Sequence, residues 1–298
     1  MTTERKLSES KVYHASDDAE VYRRNASFVF SSEYVSPVLS LLDPRPGDRI
    51  LDLGCGTGEL TIQIAKIVCQ VDPLTKRRGY VVGVDRSEDM IEKARALYIE
   101  EASRKYFSER AIQFKVLDGH LLCQEADLEG RFDKVFSNAA LHWMKTSPEK
   151  VILGVHKVLR PQGRFSAEMG GMMNLVALRS ILHLILREKG VDPVECDPWY
   201  FPSDTEYRGL LEKVGFEVES CELAPRLTGL GERGLRGFME TFCGPMLNKV
   251  SSSVGGEEEV VKRCEEALQI DLFDRGEERW KIMYMRLRFS CFKKAEGE

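Results

Sequence analysis

A chain of 298 residues holds one large domain, or one domain with a sizeable insert, since the usual unit is roughly 100 to 200 residues. Its 43 basic residues against 48 acidic ones give a formal charge of -5, which argues against a broad nucleic-acid surface. The eight cysteines form no CxxC pair and no zinc-finger spacing with histidine, which speaks against a metal site and for reduced thiols in a cytosolic or nuclear protein.

The opening MTTERKLSESK is polar and lacks the apolar centre of a secretory signal. The first 48 residues read as helical, with Val35, Val38, Leu39 and Leu42 on one face before PRPGD breaks the pattern. Strand and helix patterns then alternate: RILDLG, a helix through Lys66, YVVGVD, a helix from Ser87 to about Leu97, IQFKVLD, FDKVFSN, a helix around Pro148 to Leu159, and GRFSAEM. Short aliphatic runs separated by amphipathic helices predict a doubly wound α/β domain, its mostly parallel sheet covered by helices on both faces. After Gly170 come a helical stretch near 172–189, the segment WYFPSD, the helix YRGLLEKVG, the strand EVESCELA, two helices and a last run WKIMYMRLRFSCFK. That run alternates Met283, Met285, Leu287 and Phe289 with Tyr284, Arg286, Arg288 and Ser290, which suits a strand at or near the sheet edge. The most apolar segment, Met172 to Leu186, is broken by Arg179 and His183 and is shorter than the ~20 apolar residues of a spanning helix. A soluble, cytoplasmic protein without a membrane partner is expected.

ILDLGCGTGEL sets Gly54, Gly56 and Gly58 at the first strand-to-helix turn, where glycine lets backbone N–H groups approach a ligand. The third glycine of a dinucleotide fingerprint would fall at Glu59, and an acid there repels a pyrophosphate. Asp52, Asp85 and Asp118 stand at three consecutive strand ends. Any one of them can be a solvated loop acid or a cap; together with the glycine turn they fit a phosphate-free nucleoside carrying positive charge.

This set resembles the class I S-adenosylmethionine (SAM) dependent methyltransferases over about residues 48–170. The resemblance implies a seven-stranded Rossmann-like sheet with an antiparallel last strand. It also implies that Gly54, Gly56 and Gly58 cradle the methionine part, that Asp52 lies near its amino group, and that Asp85 holds the ribose. Asp118 and Gly119 would flank the adenine, with Arg86 and Met90 covering its faces. Strand four would end with Ser137 or Asn138 beside the sulfonium. The form SNAALHW is similar to the small-molecule carboxyl methyltransferases, such as those acting on trans-aconitate and juvenile hormone acid; AEVYRRNASF, with Tyr22 and Asn25, is similar to their lid segment. Where a GGxGN pattern is expected, Met173 replaces a glycine, which implies a reshaped acceptor pocket.

The resulting division is an N-terminal helical lid (1–48), a SAM-binding core (49–170), a helical cap insert (171–203) and a C-terminal completion of the sheet (204–298) with a helical insert at about 225–279. Wall residues for an acceptor are Trp143, Trp199, Tyr200, Phe201, Met169, Met172 and Met173. An anionic acceptor needs an anchor, for which Arg226 and His142 are the candidates. Arg226 is equally an ion-pair residue, His142 a backbone-satisfied core histidine or a general base, and PWYFPSD a loop pinned by its aromatics. The expected activity is O-methylation of a small-molecule carboxylate, yielding S-adenosylhomocysteine. Two alternatives stay open: methylation of a nitrogen, sulfur or phenolic oxygen, which needs a base, and a SAM-binding interaction protein without catalysis.

Overall fold

The computed structural model describes residues 32–103, 111–251 and 255–295. The chain enters it in helix α1 (Ser32–Leu42), whose apolar stripe is buried at Val35, Val38 and Leu42, and then forms strand β1 (Arg49–Leu53). Helix α2 (Glu59–Val68), strand β2 (Tyr80–Asp85), helix α3 (Glu88–Ser103) and strand β3 (Ile112–Val116) follow. Next come β4 (Phe132–Asn138), α4 (Pro148–Val158) and β5 (Leu159–Gly170). All of these strands pair in parallel, in the spatial order β3-β2-β1-β4-β5. The runs RILDL and YVVGVD are buried almost throughout, as aliphatic strands must be when helices cover both faces. Helices α1 to α3 cover one face around Ile50, Ile64, Val81 and Phe136.

The remainder consists of helices α5 (Val176–Glu188), α6 (Pro193–Cys196) and α7 (Asp204–Val214), strand β6 (Phe216–Gly229), and helices α8 (Gly234–Phe242), α9 (Gly244–Leu247) and α10 (Gly256–Leu272). A two-residue strand β7 (Phe273–Asp274) and the long β8 (Arg279–Lys293) close the chain. Helix α7 starts where the Ser203 hydroxyl accepts from the Glu206 N–H and stops at Gly215, with φ 108°. Its Tyr207 and Leu211 join α4 on the second face. Strand β8 runs antiparallel between β5 and β6, one strand in from the edge, and completes the order β3-β2-β1-β4-β5-β8-β6.

Both sides of β8 are covered. Leu287 and Phe289 pack in the sheet core, while Ile282 and Tyr284 belong to a second core shared with α5, α8, α9 and α10. Arg286 and Ser290 are also buried, so the polar half of the alternation does not face water. Strand β6 extends past the predicted ELA to Gly229, and Arg226 lies inside it, opposite Tyr284, instead of just after it. Helices α8 to α10 fall at 234–272, within the expected C-terminal insert. Helix α1 packs on the sheet; the expected lid contacts of Tyr22 and Asn25 lie outside the described residues. No helix among the described residues is long and apolar enough to cross a membrane. All eight cysteines are free thiols.

Candidate active site

The sheet order reverses between β1 and β4, and an open α/β sheet offers its crevice at the carboxyl ends of such neighbouring strands. Gly54, Gly56, Asp85, Asp118 and Asn138 all lie at these ends. Gly54 has φ 76°, and a Cβ there would come within 2.2 Å of the Ala140 Cβ, so glycine is what lets the loop after β4 close on the loop after β1. Gly56 has φ 53° and faces open space, the cradle that a ligand can fill.

Asp85 shapes that cradle: Oδ2 accepts the Gly56 N–H at 3.0 Å and Oδ1 accepts the Ser87 N–H at 2.9 Å. Burial pushes its carboxyl above the ordinary range against the pull of these bonds. Asp118 caps a short turn through His120 N at 2.9 Å and meets His120 Nδ1 at 2.7 Å, and that ring holds its carboxyl below the usual range. Gly119 packs against the Met144 sulfur, Met90 is buried and Arg86 is exposed. Ser137 is fully buried and donates to the Leu53 carbonyl at 2.7 Å; its hydroxyl ties β4 to β1, and of the expected pair Asn138 is the one that reaches the strand end.

Asp52 is 2 % exposed and accepts from Thr61 Oγ1 at 2.6 Å, its one side-chain donor among the described residues. Burial, with Asp85 nearby, pushes its carboxyl up to about 7. A buried carboxylate with so raised a pKa fits a cationic ligand. The raised value means that the folded chain holds a proton the unfolded chain has lost between pH 3.8 and about 7, so ionisation of Asp52 costs stability as pH rises through that window. A cation binds the ionised form, and below about pH 7 it must first expel the proton. SAM affinity measured by calorimetry is therefore expected to rise with pH up to about 7 and then level off, with a limiting slope of about tenfold per pH unit. Asp52→Asn should flatten the profile. A flat wild-type profile would remove Asp52 as a partner of the cation.

Immediately beyond Asn138 the chain takes a left-handed turn at Ala139, φ 56°, whose N–H donates to the Glu168 carbonyl at 2.7 Å. A cavity with about 440 Å³ of open volume, partly continuous with solvent, begins here. It is lined by Ala139, His142, Trp143, Asn174, Leu175, Trp199, Phe201, Phe238, Phe242, Tyr284 and the guanidinium residues Arg226 and Arg286. His142, Trp143, Trp199 and Arg226, predicted separately, thus meet in one place.

Tyr200 and Met172 do not line the cavity. The Tyr200 side chain packs with the sheet core, and its hydroxyl donates to Glu206 at 2.7 Å, because successive residues of an extended segment point to opposite sides. The cavity takes Trp199 and Phe201 instead. Met172 is 49 % exposed. Met173 adopts φ 70°, a glycine-like backbone, and turns its side chain outward at 55 % exposure, so it does not reshape the pocket.

His142 accepts the Gly170 N–H at Nδ1, at 3.2 Å. In the neutral ring the proton then sits on Nε2, so the side chain can donate there while its basic lone pair is engaged. The aromatic wall is fixed from behind by Asp197, 3 % exposed, which accepts from Arg179 Nε at 2.6 Å, lies 2.9 Å from His183 Nε2, and accepts the Trp199 N–H at 2.9 Å.

Sequence reasoning missed Glu168, Arg286 and Arg288. Glu168, 1 % exposed, takes Arg226 Nη1 at 3.1 Å, Arg286 Nε at 3.0 Å, and Arg288 at 3.0 and 2.6 Å. The available signal was a lone acid in the buried strand SAEM and two arginines spaced by two in the last strand.

A mostly parallel sheet with a glycine loop, carboxylates at the neighbouring strand ends and an aromatic cavity at its switch point is the arrangement of an α/β nucleoside-binding fold. A family profile described as a methyltransferase domain matches residues 44–183. The Schizosaccharomyces pombe protein named uncharacterized methyltransferase C70.08c is 33 % identical over 282 residues, 92 % of this chain and 97 % of that protein. The chain therefore belongs to the class I SAM-dependent methyltransferases, and SAM is its cofactor. Trans-aconitate 2-methyltransferase of Deinococcus radiodurans is 32 % identical over 130 residues, only 44 % of this chain and 41 % of that enzyme. The YcgJ protein of Bacillus subtilis superposes with a TM-score of 0.57 at 13 % identity over 89 % of this chain and 99 % of that one, a likeness of fold alone.

Proposed function

We propose that the enzyme methylates the carboxylate of a small organic acid, and that it does so in the cytoplasm without a nucleic-acid or membrane partner. The observation that carries this reading is the pair Arg226 and Arg286 in an aromatic cavity directly after Asn138, which marks the substrate as an anion, beside a His142 whose basic nitrogen is taken by the Gly170 N–H. The partial similarity to trans-aconitate 2-methyltransferase supports it.

Bound SAM supplies an electrophilic methyl group on a sulfonium. Asp85 and Asp118 would hold the nucleoside, and the Gly54–Gly58 loop and Asp52 the aminoacyl end. An ionised carboxylate needs no deprotonation, so the chain has only to align it and exclude water; alignment alone supplies roughly 7 to 11 kcal/mol in favourable cases. The alternative acceptors, a protonated nitrogen, thiol or phenol, call for a base, and His142 spends its basic nitrogen on the Gly170 N–H. His142 and Trp143 serve better as donor and wall. The open cavity beside the donor site favours catalysis over a purely binding role.

Incubating the protein with methyl-labelled SAM and a metabolite extract tests the acceptor atom. The expected product is an ester that loses its label in alkali. An alkali-stable product would exclude a carboxylate.

A further inference from the structure

On the carboxylate reading, we infer that the acceptor is an acid with two anionic groups on an apolar frame: one is methylated, and the other is held by Arg286 with Arg226 and keeps its charge.

The reacting carboxylate loses its charge as it forms the ester. Its oxygen lone pair makes the new O–C bond, the S–C bond breaks with its pair to sulfur, and no proton moves. A guanidinium bound to that carboxylate would stabilise the starting state more than the transition state and slow the step. Cationic groups in an acceptor cavity therefore assist only if they hold an anion whose charge survives the reaction.

The geometry supplies such groups. Among the described residues, Arg288 chelates Oε2 of Glu168, whereas Arg286 reaches Oε1 through Nε alone. Arg286 is 4 % exposed, yet its side chain lines the cavity beside Arg226. Burying a guanidinium is costly unless an anion meets it. The Tyr284 ring lies 5.5 Å from both Arg226 and Arg286 and holds their planes in place. The other walls are largely aromatic, Trp143, Trp199, Phe201, Phe238 and Phe242, and suit a hydrocarbon or unsaturated frame. The retained anion can be a carboxylate or a phosphate, since both match the guanidinium fork.

The charge of the labelled product decides. After incubation of the wild-type protein with labelled SAM and a metabolite extract, the expected product loses its label in alkali and is retained by an anion exchanger at neutral pH, its mass telling a carboxylate from a phosphate. An alkali-labile product that passes through uncharged would overturn the second anion and leave the carboxylate reading standing. An alkali-stable product would overturn both. With the identified substrate, Arg286→Gln should raise KM by more than about tenfold with the Kd for SAM unchanged, and Arg286→Lys should recover part of the loss. An unchanged KM in a variant of wild-type melting temperature would remove Arg286 as the anchor.

Discussion

Replacing Glu168 by alanine is expected to destabilise the fold by about 3 to 5 kcal/mol, the usual cost of removing one partner from a buried ion cluster. The carboxylate is 1 % exposed and is the shared acceptor for Arg226, Arg286 and Arg288. Without it, three guanidiniums repel one another across β6 and β8. At about 2 to 4 °C per kcal/mol for a domain of this size, the melting midpoint should fall by about 10 °C. The effect depends on pH in a definite sense. Burial opposes ionisation of Glu168, but the arginines outweigh it and hold the carboxyl below its ordinary value of 4.5. A depressed folded-state pKa gives stability that is present above 4.5 and lost as pH falls through the folded value. The gap between wild type and Glu168→Ala should therefore be widest near neutrality and shrink in acid. Equal melting temperatures near neutral pH would mean that solvent screens the cluster despite its burial.

Asp85→Ala should weaken SAM binding by about ten- to hundredfold, because hydrogen bonds from a charged group contribute about 1.5 to 3 kcal/mol. The structure adds a second source of loss. Asp85 holds the Gly56 N–H, so the variant also frees the loop proposed to hold the aminoacyl end. Titration of SAM and S-adenosylhomocysteine by calorimetry separates this from damage at the sulfonium: both ligands carry the ribose and should weaken alike. Unchanged affinity for both would take Asp85 out of the site, and weakening of SAM alone would reassign it to the sulfonium.

Much of the parallel α/β half was legible in the chain. Parallel strands covered on both faces must be aliphatic throughout, and the turns between them must carry glycine where the backbone approaches a ligand, so RILDLGCGTG and YVVGVD declare their positions locally. The acceptor half was legible only in part. Trp143, Trp199 and Arg226 were named, but Tyr200 and Met172 were named with them, since alternation says that neighbours diverge and not which side meets a cavity.

What the sequence by itself determined is the parallel α/β half with its glycine turn, because each of its features is specified within a few residues by strand burial, turn geometry and a carboxylate at a strand end. Only the tertiary structure decided the charge pattern of the acceptor cavity. Glu168 and its arginines on β8 lie 118 and 120 residues apart, brought together by an antiparallel register that puts Glu168 opposite Arg288. In sequence Arg286 and Arg288 are only the polar half of an alternating strand; helices α5 and α8 to α10 cover that side of β8, and no local periodicity records whether a second layer will bury a face.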